Sequence, residues 1–205
     1  MYKRWDARKI SIIGLLSALA FVGMFVQISF PLAPFLKFDL SEIFCLLGGI
    51  VLGPISGLII VVIKSFLHYV IIEPEIFGHV MNVIAVGTMT IVASYAYIFS
   101  QKVRGSSKVQ NFWFAGGLVV AIIARTAIMI PANWLAILYT PYKDHFMLNG
   151  VFNWEFAGIY VYTQSLFFNL IQGVASAALF TPLLLLWNNS IKPVLSSHSG
   201  VPIEE

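Results

Sequence analysis

Two basic residues inside apolar segments are the first candidates for a functional role in this chain. Lys64 and Arg125 both lie in long apolar stretches. A charged side chain at such a position costs roughly 2.5–3.5 kcal/mol on insertion scales. Such residues mark a functional site in a bundle interior, pair with a carboxylate such as Glu42, or extend toward the membrane interface. The sequence leaves these alternatives open.

Amides also collect in the apolar segments, and those of the last segment share one helical stripe. They must find partners across helices or on a ligand, because unsatisfied polar groups are costly in lipid. Together with aromatic neighbours they suit a flat heteroaromatic ligand, whose carbonyls and ring nitrogens need directed hydrogen bonds. Interhelical hydrogen bonding is the alternative. The residues concerned are Asn82, Asn133, Ser165, Asn169, Gln172 and Ser176.

Motifs of the common enzyme classes are absent from the sequence. It has no GxxxxGK[ST] phosphate loop, no HExxH and no GxSxG. The 4 histidines lack ligand spacing, and Cys45, the 1 cysteine, can form neither an internal disulfide nor a CxxC metal site. We therefore expect no catalysis, no ATP hydrolysis, no metal and no catalytic cofactor. A membrane enzyme using Lys64 and Arg125 is the less favoured alternative.

Membrane helices must position these polar residues. The 205 residues are 59% hydrophobic and 10% charged, with a mean hydropathy of +0.88. A soluble domain carries about 25% charge. The net charge of +3 is spread over short segments between apolar runs, which is a pattern of membrane topology and not of a phosphate-binding groove. We expect a protein surrounded by membrane lipid, with no nucleic-acid partner.

The apolar runs predict six membrane-spanning helices. The run from 40 to 72 is too long for one span, and Gly53-Pro54 divides it because a proline lacks the amide donor that a helix interior needs. The predicted spans are 11–30, 40–52, 55–72, 79–99, about 112–132 and about 160–187.

The distribution of basic residues predicts that both termini are cytoplasmic. With six spans, eight Lys and Arg residues fall on the cytoplasmic side and two, Lys37 and Lys143, fall outside. Five spans would leave five on each side. The predicted fold class is therefore an all-α membrane protein, a six-transmembrane-helix bundle forming a single domain over 1–192, with a polar cytoplasmic tail over 193–205.

Several motifs resemble those of one family, the riboflavin-binding S components of energy-coupling factor (ECF) transporters. The most specific part is the first-loop motif joined to the Gly-Pro-x-x-Gly turn, and the similarity runs from the first span to the last. The matching positions are Pro34-Phe35-Leu36-Lys37-x-Asp39-x-Ser41, Gly53-Pro54-x-x-Gly57, Lys64, Asn82, Asn133 and Phe168-Asn169-Leu170-Ile171.

This resemblance implies a multi-pass protein of a prokaryotic cell membrane that captures riboflavin from outside with high affinity. Riboflavin would be the transported ligand and not a catalytic cofactor. Uptake would require a separate energy-coupling module, composed of a membrane coupling protein and two cytosolic ATPases, which agrees with the missing phosphate loop. In such proteins the first loop closes over the ligand, and the subunit topples in the membrane to release it.

The resemblance also implies roles for individual residues. Asn133 and Asn169 would hydrogen-bond the edge of the isoalloxazine ring, with Asn82 as a further ligand-binding amide. Gly14 and Ala18, a small-xxx-small pair on the first helix, would contact the coupling protein. In the first loop Lys37 and Asp39 would shape the lid, and the apolar residues packing near the ring would be Leu36, Phe38 and Leu40.

One position departs from the family pattern. Relatives often have a lysine three residues after the last asparagine, where this chain has Gln172. A neutral amide can still donate to a flavin carbonyl, but it supplies no charge. The choice between riboflavin and the phosphorylated flavins FMN and FAD stays open. An S component for another vitamin, such as thiamin, is a further alternative, because a scaffold alone says little about its ligand.

Overall fold

The structure, a computed structural model, describes residues 5–188, which are mostly helical. The predicted tail over 193–205 lies outside the described residues. A π-helical turn, Tyr160–Ser165, joins the last two α-helices of the described residues. Together the three segments form one continuous helix over Trp154–Leu186. In chain order the described α-helices are α1 Ala7–Gly23, α2 Ser41–Leu52, α3 Pro54–Ile71, α4 Ile76–Lys102, α5 Ser107–Tyr139, α6 Trp154–Ile159 and α7 Leu166–Leu186.

The described part of the chain also contains two small antiparallel hairpins. Strands β1 (Gln27–Phe30) and β2 (Ala33–Asp39) pair between α1 and α2. Strands β3 (Met147–Leu148) and β4 (Val151–Phe152) pair before α6, after a 3₁₀ helix over Pro141–Phe146. The prediction of a helical protein is confirmed, whereas the all-α description omits both hairpins.

The first predicted span was wrong at its carboxyl end. Helix α1 ends at Gly23, and the chain then enters β1 instead of continuing as a helix to Phe30. Pairing with β2 satisfies the backbone of this segment, and the Leu40 amide donates to the Gly23 carbonyl at 3.3 Å. A Cβ at Gly23 would lie 3.0 Å from the Ser41 backbone nitrogen, so the end of α1 packs directly against the start of α2.

The predicted break at Gly53-Pro54 is confirmed. Helix α2 ends at Leu52, α3 begins at Pro54, and Gly53 has a φ of 102°, a conformation that glycine adopts without a steric penalty. A Cβ at Gly57 would lie 2.6 Å from the Gly49 Cα atom. Only a residue without a side chain therefore allows α2 and α3 to cross this closely.

Among residues 5–188, four helices are long and apolar enough to cross a membrane: α3, α4, α5 and the continuous helix Trp154–Leu186. Helix α2 has 12 residues, which span about 18 Å, less than the roughly 30 Å of a hydrocarbon core. It packs against α1, α3, α4 and α7, so it lies inside the bundle. The six-span count and the cytoplasmic location of both termini stay predictions.

Helix α5 runs through Pro131 to Tyr139, past the predicted end near residue 132. Proline is tolerated within membrane helices when neighbouring groups satisfy the backbone. Two residues after Pro131, and separately from the proline, the Asn133 side-chain amide donates to the Met129 carbonyl at 2.6 Å. Because α5 continues past Pro131, Arg125 and Asn133 lie on the same helix, and both side chains are buried.

Candidate functional site

A cavity of about 780 Å³ lies between the β1–β2 hairpin and helices α3 to α7. Its volume is within the roughly 300–1,000 Å³ typical of small-molecule pockets. Three of the four amides predicted to bind the ligand line it: Asn82, Asn133 and Asn169. The structure therefore brings together residues from α4, α5 and α7 that lie far apart in the sequence.

An ion pair forms the inner wall of this cavity. Arg125 Nη1 donates to Glu42 Oε2 at 2.6 Å, and both side chains are only 2% exposed. Arg125 Nε donates to Asn169 Oδ1 at 3.1 Å, and the Ser176 hydroxyl donates to Glu42 Oε2 at 2.6 Å. Of the alternatives that the sequence left open for Arg125, the structure shows pairing with the Glu42 carboxylate. Removing one partner of such a pair would leave an uncompensated buried charge.

The π-helical turn gathers the amides of the cavity around Ser165. The Asn133 amide donates to the Ser165 hydroxyl at 2.9 Å, and the Tyr160 hydroxyl donates to Asn133 Oδ1 at 3.1 Å. The Asn169 amide donates to the Ser165 carbonyl at 2.9 Å. Because π turns rotate side chains out of the regular α-helical register, this turn directs Tyr160 and Ser165 toward α5.

Two polar atoms of the cavity lining have no hydrogen-bond partner among residues 5–188. They are Asn82 Oδ1 and His68 Nδ1, and both atoms are buried. His68 is 3% exposed and lies beside the rings of Phe21, Phe25 and His79. A buried polar atom without a partner is costly, and neither of these two atoms is itself exposed to the cavity.

The first-loop residues divide between the cavity and the packing behind it. Leu36, Lys37 and Asp39 line the cavity. The Phe38 ring lies outside the lining, 4.8 Å from the centroid of the Phe168 ring and 5.7 Å from that of Phe30. Phe38 therefore supports Phe168, which does line the cavity.

Leu40 and Gln172 lie outside the cavity lining. Leu40 is 37% exposed at the start of α2. Gln172 is buried, and its amide donates to the Asp39 carbonyl at 3.0 Å and to the Ser176 hydroxyl at 3.4 Å. Gln172 thus attaches the end of β2 to α7 and does not face the cavity.

Lys64 of α3 is fully buried beside the carboxyl end of the first loop. Its ammonium donates to the Ser41 hydroxyl, which in turn donates to Asp39 Oδ1. The Asp39 carboxylate also accepts from the Ser41 amide at 2.8 Å. Lys64 and Asp39 therefore neutralise each other through Ser41, and together they anchor the junction of β2 and α2.

Carboxylates surround the outer opening of the cavity, which we call the entrance and define by Lys37, Glu73, Glu75 and Tyr142. Lys37 Nζ lies 3.5 Å from Glu73 Oε2. The Tyr142 hydroxyl donates to Glu75 Oε2 at 3.4 Å, and burial together with Glu75 raises the pKa of Tyr142 to about 12. Tyr142 accordingly stays a protonated donor at neutral pH.

Several lining residues received no role in the sequence-based site. They are Glu42, His68, Glu73, Glu75, Arg125, Tyr142, Tyr160, Ser165 and Phe168. For Arg125 and Glu42 a signal existed, since ionisable residues within apolar segments mark functional interiors. Ser165 lies on the polar stripe of the last apolar segment and Phe168 lies in the family motif, so the sequence offered a signal for these two as well. For the remaining residues it offered none, because aromatic and polar residues occur throughout the chain.

The proposed coupling residues lie on the outside of the molecule. Gly14 and Ala18 are exposed on α1, and a Cβ at Gly14 would meet no atom within 4 Å. The exposed side chains of Leu15, Leu19 and Val22 share this part of α1. Among the described residues, no other helix of the chain packs over Gly14.

The described residues contain no group of three or more His, Cys, Asp or Glu side chains that could hold a metal ion. The site consists instead of amides, hydroxyls, aromatic rings and compensated charges in an apolar helical bundle. Such an arrangement can bind an organic molecule through directed hydrogen bonds and ring contacts. The fold and site define a helical membrane protein with a binding cavity.

Comparison with known proteins identifies the family. The family model for the substrate-specific component of ECF transporters matches residues 8–184, and the chain belongs to this family. The riboflavin transporter RibU of Staphylococcus aureus (strain TCH60) is 27% identical over 188 residues, covering 91% of this chain and 94% of the relative. The riboflavin transporter FmnP of Bacillus subtilis (strain 168) is 28% identical over 195 residues, covering 93% and 97%.

A solved structure has the same fold. It was described under the heading "Structure and mechanism of the S component of a bacterial ECF transporter", and it superposes with a TM-score of 0.73 at 25% sequence identity. The match covers 90% of this chain and 98% of that chain. The family that the first-loop and Gly-Pro-x-x-Gly motifs predicted is therefore confirmed.

Proposed function

We propose that this protein is the riboflavin-binding subunit of an ECF transporter and takes up riboflavin together with a separate energy-coupling module. The observation that carries this proposal is the cavity lined by Asn82, Asn133 and Asn169 beside Phe168. The amides offer directed hydrogen bonds to ring carbonyls and nitrogens, and the ring of Phe168 offers an apolar face. The two relatives named above are both riboflavin transporters, which supports the same ligand.

The β1–β2 hairpin would act as the lid over this ligand. Its residues Lys37 and Asp39 line the cavity, and its far face rests on Phe168 through Phe38. If the whole hairpin moved on opening, the hydrogen bond between Gln172 and the Asp39 carbonyl would have to break. If only the tip moved, this hydrogen bond could remain. We propose that the tip of the hairpin moves while the junction with α2 stays anchored.

The remaining parts of the proposal concern the membrane and the partners. The protein would cross a prokaryotic cell membrane six times with both termini in the cytoplasm, as the basic residues predict. Gly14 and Ala18 would contact the coupling protein, whose two ATPases supply the energy. A catalytic role for Lys64 and Arg125 receives no support, since both side chains hold protein partners.

The test is a fluorescence titration of the purified full-length protein. Riboflavin fluorescence should be quenched on binding at nanomolar to micromolar concentration, and the protein should purify with a yellow chromophore. Thiamin added in excess should not displace riboflavin. Absence of both the chromophore and the quenching would contradict the proposal, and displacement by thiamin would assign the cavity to another vitamin.

A further inference from the structure

We propose that the β3–β4 hairpin is an anchor in the membrane surface, inserted with its exposed apolar face into the headgroup region of the outer leaflet. The hairpin occupies residues 147–152, in the segment between α5 and α6 that the predicted topology places outside the membrane as a connecting loop. None of these residues lines the cavity, so this surface is separate from the ligand site.

The turn of this hairpin places two apolar side chains on the same side. Asn149 and Gly150 have φ values of 52° and 79°, as a tight two-residue hairpin turn requires. Residues directly opposite each other in an antiparallel pair share one face, so Leu148 and Val151 lie side by side. They are 61% and 70% exposed. An apolar cross-strand pair, the Leu148–Val151 pair, is therefore presented away from the described part of the protein.

The opposite face attaches the hairpin to the helical bundle. Phe152 packs against a buried cluster that includes Phe146, and the Asn153 amide donates to the Phe146 carbonyl at 2.8 Å. The centroids of the Phe152 and Trp154 rings lie 4.7 Å apart. This packing holds the hairpin in one orientation and sets the direction in which its apolar pair points.

Tryptophan and tyrosine side chains surround the base of the hairpin. Tyr139 is the last residue of α5 and Trp154 the first of the final helix, and both are exposed. The Trp134 ring lies 6.2 Å from the rings of Trp154 and Tyr162, and its indole nitrogen donates to the Tyr162 hydroxyl at 3.2 Å. Because these residue types concentrate where helices leave the hydrocarbon core, they mark the membrane interface. Val151, three residues before Trp154, lies next to that level.

The apolar surface of the hairpin continues into the lipid-facing surface of the bundle. The helix that follows it, Trp154–Leu186, is long and apolar enough to cross a membrane. The hairpin itself contains no charged residue, whereas the adjoining 3₁₀ helix carries Lys143 and Asp144. This separation of apolar and charged residues is typical of elements that lie in a membrane interface. Exposed apolar side chains extend from the hairpin along the helix at Phe156, Ile159, Phe167 and Leu170.

Insertion of the hairpin would hold one wall of the cavity at the membrane surface. The 3₁₀ helix over Pro141–Phe146 directly precedes β3, and its residues Tyr142, His145 and Phe146 line the cavity. The Asn153–Phe146 hydrogen bond joins this helix to the far end of the hairpin. Lipid that holds the hairpin therefore also restrains the segment that carries these three side chains.

The test places a spin label on the hairpin of the full-length protein, in nanodiscs of phosphatidylglycerol and phosphatidylethanolamine. The labelled variant is Val151→Cys, and the unchanged protein gives the background because Cys45 is fully buried. Accessibility to oxygen, which concentrates in lipid, is compared with accessibility to a water-soluble nickel chelate. The reference positions are Val119→Cys, exposed within the apolar part of α5, and Asp144→Cys, exposed on the 3₁₀ helix.

The label at Val151 should lie about 5–10 Å inside the headgroup boundary, which is the usual depth of interfacial apolar faces. Leu148→Cys should give the same depth, because the two residues share a face. Accessibility to the nickel chelate equal to that at Asp144 would place the hairpin in water and overturn the proposal. Protection from both reagents would also overturn it, because protein would then cover the pair, and the mass of the particle would show whether a second copy does so.

Substitutions on the same face test whether the apolar pair holds the hairpin in lipid. In protein labelled at Leu148→Cys, Val151→Asp should raise accessibility to the nickel chelate by about threefold or more, because a carboxylate favours water where valine favours lipid. Val151→Leu keeps the face apolar and is the matched control, which should leave the accessibility unchanged. Equal accessibility in the Val151→Asp and Val151→Leu proteins would overturn the proposal.

Discussion

Asn169 occupies the point where the ion pair of the inner wall meets the amides of the cavity. Its oxygen accepts from Arg125, its amide donates to the Ser165 carbonyl, and the residue lines the cavity. A side chain fixed in this way offers its remaining hydrogen-bonding capacity in a defined direction. At the scale of single residues, binding therefore depends on side chains that the protein itself orients.

Replacing Asn169 by alanine should weaken riboflavin binding by about 1–3 kcal/mol, because a buried partner on the ligand and Arg125 Nε would each lose a hydrogen bond. The dissociation constant from fluorescence titration measures the effect. Asn111→Ala serves as the control, since Asn111 is an exposed amide on α5 away from the cavity. An unchanged dissociation constant for Asn169→Ala would remove this residue from the site.

Replacing Arg125 by methionine should destabilise the protein by about 3–5 kcal/mol, because Glu42 would remain buried without its counter-charge. The midpoint of thermal unfolding in detergent micelles measures the loss. The double variant Arg125→Met with Glu42→Gln should recover part of the lost stability, because it removes the uncompensated charge. A double variant less stable than Arg125→Met would contradict this explanation.

The β1–β2 hairpin forms one side of the cavity, and its carboxyl end is fixed from two sides. Gln172 of α7 donates to the Asp39 carbonyl, and Lys64 of α3 reaches Asp39 through Ser41. Ser41 is the first residue of α2, and Asp39 accepts its amide hydrogen. This anchored junction lets the hairpin hold Lys37 and Asp39 at the cavity.

Replacing Gln172 by alanine should therefore act on the lid and not on the ring site. Without this hydrogen bond the junction is no longer anchored and the whole hairpin can move. We therefore expect faster riboflavin dissociation, by about twofold to tenfold for the 0.5–1.5 kcal/mol of one hydrogen bond, with little change in the association rate. Stopped-flow fluorescence separates the two rates. Gln101→Ala, at an exposed position near the end of α4, is the matched control. A change confined to the association rate would contradict the anchoring role.

The whole molecule presents a surface of small and apolar residues along α1. Gly14 and Ala18 are exposed there, and the space above Gly14 is empty within 4 Å. Small residues allow a neighbouring helix to approach closely. A larger side chain at this position would keep a partner helix away without disturbing the fold.

Replacing Gly14 by leucine should leave riboflavin binding unchanged and reduce riboflavin uptake in cells that contain the energy-coupling module. Gly116→Leu is a matched control, because Gly116 is also exposed and a Cβ there would likewise meet no atom within 4 Å. The control should support normal uptake. Normal uptake by Gly14→Leu would refute the assignment of this face to the coupling protein.

Local sequence patterns were enough to predict that this chain forms apolar helices, where the apolar run from 40 to 72 breaks, and which family it belongs to. Hydropathy and the conformations of glycine and proline act locally, so Gly53-Pro54 could be interpreted without knowing any neighbour in space. The motif from Pro34 to Ser41 likewise lies within one loop.

Only the tertiary structure decided which polar residues meet. Glu42 and Arg125 are 83 residues apart, and Gln172 contacts the Asp39 carbonyl across 133 residues. Such contacts depend on how each helix is rotated and where helices cross, which the pattern within one helix does not specify. For this reason Gln172, three residues after Asn169 on the same helix, holds the loop, whereas Asn169 lines the cavity.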